Sequence, residues 1–124
     1  MKRSELVRRL VLNSICDDYE NVDQVILREV AEDGVKCGLT IGRSEIVYAL
    51  AGLIDDGLAK AYLLSSMAPE LELQGMPAID VVETYFKTYF YATKEGIALQ
   101  LSDDAWWPFD DDCKLRPDWH LDLT

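Results

Sequence analysis

Arg43-Ser44-Glu45-Ile46-Val47-Tyr48-Ala49-Leu50-Ala51-Gly52-Leu53-Ile54-Asp55-Asp56-Gly57-Leu58-Ala59-Lys60-Ala61-Tyr62-Leu63-Leu64 is the stretch that decides how this chain folds. Ile46, Ala49, Leu50, Leu53 and Ile54 recur at helical spacing and predict an amphipathic helix. Thr40 is its expected cap, and Asp55-Asp56-Gly57 closes it. The chain then leaves at once into residues 58–65, which have strand composition. Ala49, Ala51 and Gly52 make part of the helix thin. A close neighbour there would offset the roughly 1 kcal/mol penalty of a mid-helix glycine.

Upstream, Leu6, Val7, Leu10, Val11 and Ile15 predict a first helix over about residues 4–16, with Ser4 as cap and Glu5, Arg8, Arg9 and Asn13 on the far face. Asn21-Val22-Asp23-Gln24 reads as a capping box, Gln24 reaching back to Asn21. The helix it opens turns Ile26, Leu27, Val30 and Ala31 inward and is expected to end at Asp33-Gly34. Downstream, residues 85–92 alternate as a strand. The connection between the strands holds Pro69, Gly75, Pro77 and a short alternating piece, Leu71-Glu72-Leu73-Gln74. Thr93-Lys94-Glu95-Gly96 opens a last helix to about Leu101, with Ile97, Ala98 and Leu101 facing in.

This order predicts an α+β winged helix, a three-helix helix-turn-helix core plus a β-hairpin wing, with a short C-terminal helix, over residues 1–101. Residues 102–124 form a separate extension of different character. Asp103, Asp104, Asp110, Asp111 and Asp112 alternate there in blocks with Trp106, Trp107, Phe109 and Trp119, and Pro108 and Pro117 break any period.

The 12 Lys+Arg and 23 Asp+Glu give a formal net charge of −11. It is unevenly spread: residues 1–43 hold seven basic and eight acidic groups, 44–101 three and eight, 102–124 two and seven. The wing and tail carry the negative charge, and the first two helices are nearly neutral. Arg8 and Arg9 interrupt the only apolar run near the start, so neither a signal peptide nor a membrane span is expected. Cys16, Cys37 and Cys113 are far apart with no C-x-x-C pair, which fits reduced thiols in the cytoplasm. His120 has no partner at metal-ligand spacing, and Asp110-Asp111-Asp112 lack the alternation and distal Glu of a calcium loop, so no metal or other cofactor is expected. No nucleophile motif or phosphate-cradling glycine loop is present, and the reading is non-catalytic.

Two segments resemble winged-helix transcription regulators of the MarR and PadR kind. Arg43 to Ile46, running on to Gly57-Leu58, is similar to their recognition helix and its exit into the wing. Tyr91-Ala92-Thr93-Lys94-Glu95-Gly96-Ile97-Ala98-Leu99 is similar to the segment that closes the wing. The resemblance implies a regulator contacting double-stranded DNA through Thr40, Arg43, Ser44 and Tyr48 in the major groove, with Arg8 and Arg9 on flanking phosphates. For Arg43 the plainer alternative is a surface ion pair with Glu45 or a carboxylate of the second helix.

Against DNA, residues 66–83 of the wing hold no basic group and four acidic ones. The alternative function is a winged helix turned to protein–protein recognition, with Trp106, Trp107, Phe109 and Trp119 anchoring a partner. Those aromatics have a plainer use as well, packing back over the helices. A sharper expectation joins the two: the tail folds across Arg8, Arg9 and Arg43 and competes with DNA.

Overall fold

The computed structural model describes residues 1–65, 68–77, 88–102 and 105–122. The chain is α+β. Helix α1 spans Arg3–Ser14; α2 begins as a π turn, Val22–Ile26, and continues over Leu27–Lys36; α3 spans Arg43–Asp55. Strands β1 (Ala59–Ser65), β2 (Ala68–Glu72) and β3 (Thr88–Ala92) follow, then α4 (Lys94–Ser102). The expected strand residues Tyr85, Phe86 and Lys87, and the carboxylates Asp80, Glu83, Asp103 and Asp104, lie outside the described residues.

The capping box at Asn21 forms. Asn21 Oδ1 accepts the Gln24 backbone N–H at 2.8 Å, and Asn21 Nδ2 donates to Gln24 Oε1 at 3.0 Å. Asn21 is only 1% exposed, so water cannot replace it. Asn21→Ala is therefore expected to cost about 1–2 kcal/mol, measured as a lower urea midpoint with unchanged slope.

Other boundaries shift for identifiable reasons. Ser4 lies inside α1, and Lys2 takes the cap position without a side-chain bond. Gly34 does not end α2. It is buried in the helix because a Cβ there would come within 2.7 Å of Ile41 Cδ1. The left-handed stop falls four residues later, at Gly38 with φ +78°. Gly42, not Thr40, caps α3.

The sheet has the order β2-β1-β3, antiparallel throughout. Where a simple two-stranded wing is expected, the connection folds back as β2 on the far side of β1, with Tyr62 opposite Glu72. The outer edge of β3 is also covered. Glu20, between α1 and α2, exchanges backbone bonds with Phe90 at 3.0 and 2.8 Å. Pairing of that edge protects it from other chains.

One core runs through the molecule. Leu6, Leu10 and Val11 of α1 meet Ile46, Leu50 and Leu53 of α3, Val22, Ile26 and Val30 of α2, and Phe90 under the sheet. Trp106 joins the same cluster at 6% exposure. On α4 Ile97 packs against the core as expected, but the rest of the inward face is rotated from the expected one. Gly96 and Gln100 are buried, while Ala98 is exposed and Leu101 is 78% exposed. The rotation follows from Gly96, which rests on the Leu58 carbonyl with no room for a Cβ.

Candidate contact face of the third helix

The helical period that buries Ile46, Ala49, Leu50 and Leu53 leaves Ser44, Val47, Tyr48, Ala51, Gly52 and Asp55 on the outer face of α3. Tyr48 is 82% exposed, the most exposed large apolar residue of the described chain. Beside it a concavity of about 440 Å³ opens between α1 and α3. Val7, Ala49, Ala51 and Gly52 supply its apolar lining, and Arg8, Glu45 and Asp55 its polar margin. A second shallow concavity on the far side of Tyr48 is bounded by Arg43, Ser44, Val47 and Ala51.

The arginines expected to meet phosphates are engaged within the chain. Arg43 Nε donates to Asp23 Oδ1 at 2.9 Å, and its Nη2 to Asp23 Oδ2 at 3.3 Å. This is the expected pairing with a carboxylate of the second helix. Glu45 instead takes Arg3 in a two-pronged pair at 2.7 and 3.1 Å. That bond raises the Arg3 pKa further. Arg3 Nη2 also donates to the Thr40 carbonyl at 2.8 Å. Arg8 crosses Gly52 to reach Asp56 at 2.7 Å. Arg9 points the other way, donating to the Leu99 carbonyl at 3.3 Å with Trp106 stacked at 5.0 Å.

Thr40, Arg43, Ser44 and Tyr48 thus lie at one end of α3 or on its outer face, with Arg8 at the rim and Arg9 on the opposite side of α1. The Arg3 and Arg8 pairs are exposed and worth at most about 1 kcal/mol each, whereas the Arg43–Asp23 pair is half-buried. The carboxylates decide the matter. Freeing the arginines leaves Asp23, Glu45 and Asp56 on the surface offered to DNA.

Among the described residues of the tail, Trp106 covers Arg9, while Arg8 and Arg43 pair with Asp56 and Asp23 of the helical core where the tail is expected to cross all three arginines. Trp106, Trp107 and Phe109 form a ladder of edge-to-face contacts at 5.2 Å, ending where Lys36 lies 5.3 Å over the Phe109 ring. Trp119 Nε1 donates to the Trp106 carbonyl at 3.0 Å, and Asp122 pairs with the N-terminus at 3.3 Å. Trp106 and Phe109 are buried, so they face the molecule's own helices; Trp107 and Trp119 are half-buried against the core.

A further concavity, about 420 Å³, was not foreseen because it draws on three separate elements. Tyr19 sits edge-on to Tyr62 at 5.1 Å and to Tyr91 at 4.8 Å, with Lys60, Lys94 and Glu95 at the rim. Lys60 is tied to Glu72 at 2.9 Å. Cys16 and Cys37 are pushed up in pKa chiefly by burial, which disfavours the thiolate. Among the described residues no group of His, Cys, Asp and Glu is placed to hold a metal ion, and no helix is long and apolar enough to cross a membrane.

Comparison of the chain with protein-family models, curated proteins and solved structures gives no match.

Proposed function

We propose that the chain is a winged-helix domain whose third helix recognises protein rather than DNA. Three helices followed by the antiparallel pair β1 and β3, the outer edge of β3 bonded to Glu20, support the winged-helix reading. The observation that carries the functional half is the make-up of the α3 face. Its centre is Val47, Tyr48, Ala51 and Gly52, and each arginine at its margin is paired to a carboxylate that shares the surface. Affinity for DNA rests on neutralised phosphates. A face whose cations arrive with their own anions offers little of that term. An exposed tyrosine beside an apolar hollow is the make-up of a protein contact. The unpaired Cys16, Cys37 and Cys113 fit a reducing compartment.

Fluorescence anisotropy against pooled labelled duplexes tests this. The expected result is no binding at low salt, where even weak phosphate contacts register. Binding at micromolar protein that falls steeply with salt and disappears in Arg43→Ala would overturn the reading in favour of a DNA-binding regulator.

A further inference from the structure

Away from α3, the outer side of the sheet gathers a different set of groups. Alternation along the strands buries Ala59 and Ala61 of β1 and Phe90 and Ala92 of β3, and it turns Lys60, Tyr62 and Tyr91 outward. Lys60 lies directly across from Tyr91, and Tyr62 is the diagonal neighbour of that pair. Tyr19 comes from the connection between α1 and α2, which the backbone exchange of Glu20 with Phe90 holds beside the sheet. Lys94 and Glu95, in the first turn of α4, supply the third wall. The concavity so enclosed, about 420 Å³, falls within the roughly 300–1,000 Å³ of small-molecule sites.

We infer that this concavity binds a small zwitterion, a molecule that joins a methylated ammonium group to an anionic group within one short chain. Tyr19 meets Tyr62 at 87° and Tyr91 at 65°, so the three rings form a corner and not a flat stack. The face of such a ring is the negative end of its quadrupole, and aromatic corners are the usual receptors of quaternary ammonium groups. Glu95 adds a carboxylate to the same lining. Lys60 and Lys94 call for the opposite charge.

Simpler ligands each leave part of the lining opposed. A lone cation meets two lysines. A lone anion meets Glu95 and the negative ring faces, in a chain whose net charge of −11 already repels it at long range. An uncharged ring leaves three charged side chains unanswered. A zwitterion without net charge matches all six residues and is indifferent to the long-range field.

Lys60 is not withdrawn from the site by its bond to Glu72. Both side chains of that pair are exposed, and exposed pairs exchange partners at little cost. Glu72, and more weakly Glu95, raise the Lys60 pKa, which keeps it a cation.

The test is an NMR titration of the nitrogen-15-labelled full chain with glycine betaine and with glycerophosphocholine, following the backbone amides of Tyr62, Tyr91 and Lys94. Tetramethylammonium and acetate, one charge each, are the controls. Saturable shifts are expected with at least one zwitterion, and each control is expected to bind about tenfold more weakly or worse. Tyr19→Leu is expected to abolish binding, while Tyr19→Phe, which keeps the ring, retains it. Lys94→Ala, at an exposed position, is expected to bring the zwitterion down to the affinity of tetramethylammonium. Sedimentation with phosphatidylcholine vesicles then distinguishes the sources: a chain that pellets takes the group from a lipid surface, and one that stays in solution takes it from a free molecule. No shift with either zwitterion would overturn the inference. So would equal binding of tetramethylammonium, or binding that survives both Tyr19→Leu and Lys94→Ala.

Discussion

Phe90→Ala is expected to lower stability by about 3–5 kcal/mol, a large part of the roughly 5–15 kcal/mol that a small domain has in total. The ring is fully buried and is the largest side chain in that state among the described residues. Its neighbours on the inward sheet face are small: Ala61 lies directly across from it on β1, with Ala59 and Ala92 paired next to them. None of these can move into the space the ring leaves. Phe90 also carries the backbone exchange with Glu20 that holds the α1–α2 connection against β3. Urea unfolding should show a much lower midpoint. A loss below about 1.5 kcal/mol would mean that the surroundings collapse onto the cavity, and that the ring does not organise the sheet.

The second large effect runs against helix propensity. Gly96 lies in the first turn of α4, where alanine should on propensity alone stabilise by up to about 1 kcal/mol. Gly96→Ala is instead expected to destabilise by about 3 kcal/mol or more. An added Cβ would collide with the Leu58 carbonyl oxygen and lie 3.3 Å from Leu12 Cδ1. The obstacle is backbone, and that backbone is held from several sides. The Leu58 carbonyl accepts the Thr93 N–H at 3.0 Å, Thr93 Oγ1 donates to the Gly57 carbonyl at 2.7 Å, and the Gly96 N–H returns to Thr93 Oγ1 at 3.1 Å. A gain in thermal stability would show that the junction between α3's exit and α4 yields, and would remove the explanation for the rotated face of α4.

These two positions illustrate what was legible in the sequence. The Thr93-x-x-Gly96 opening, the Asn21 cap and the Gly57 stop, at φ +74°, are local devices, and local patterns announce them. The core faces of α1 and α3 followed from period alone. Gly34 and Gly38 compete for the same role within five residues, and only the approach of Ile41 tells a packing glycine from a stopping one. The Glu20 bridge is a single residue without a periodic signal, and the alternation of Leu71-Glu72-Leu73-Gln74 marks extended chain at β2 without encoding its pairing with β1. Of the candidate site, Arg43, Ser44 and Tyr48 were legible as an outer helix face. Its hollow was half-legible, as the thin stretch Ala49, Ala51, Gly52. The choice of Asp23 over Glu45 for Arg43, and of Trp106 for Arg9, depends on distances between elements that no local pattern encodes.

The proposed function requires the arginines around α3 to keep their own carboxylates when DNA is offered. The most direct measurement is an NMR titration of nitrogen-15-labelled protein with a short duplex at low salt, following the arginine Nε–H signals. Arg3 Nε is bonded to Glu45 at 3.1 Å and Arg43 Nε to Asp23 at 2.9 Å, so both resonances report the pairs themselves. Neither resonance is expected to move across the titration. Progressive shifts of both, together with the backbone amides of Ser44 and Tyr48, would contradict it and return the third helix to the DNA groove.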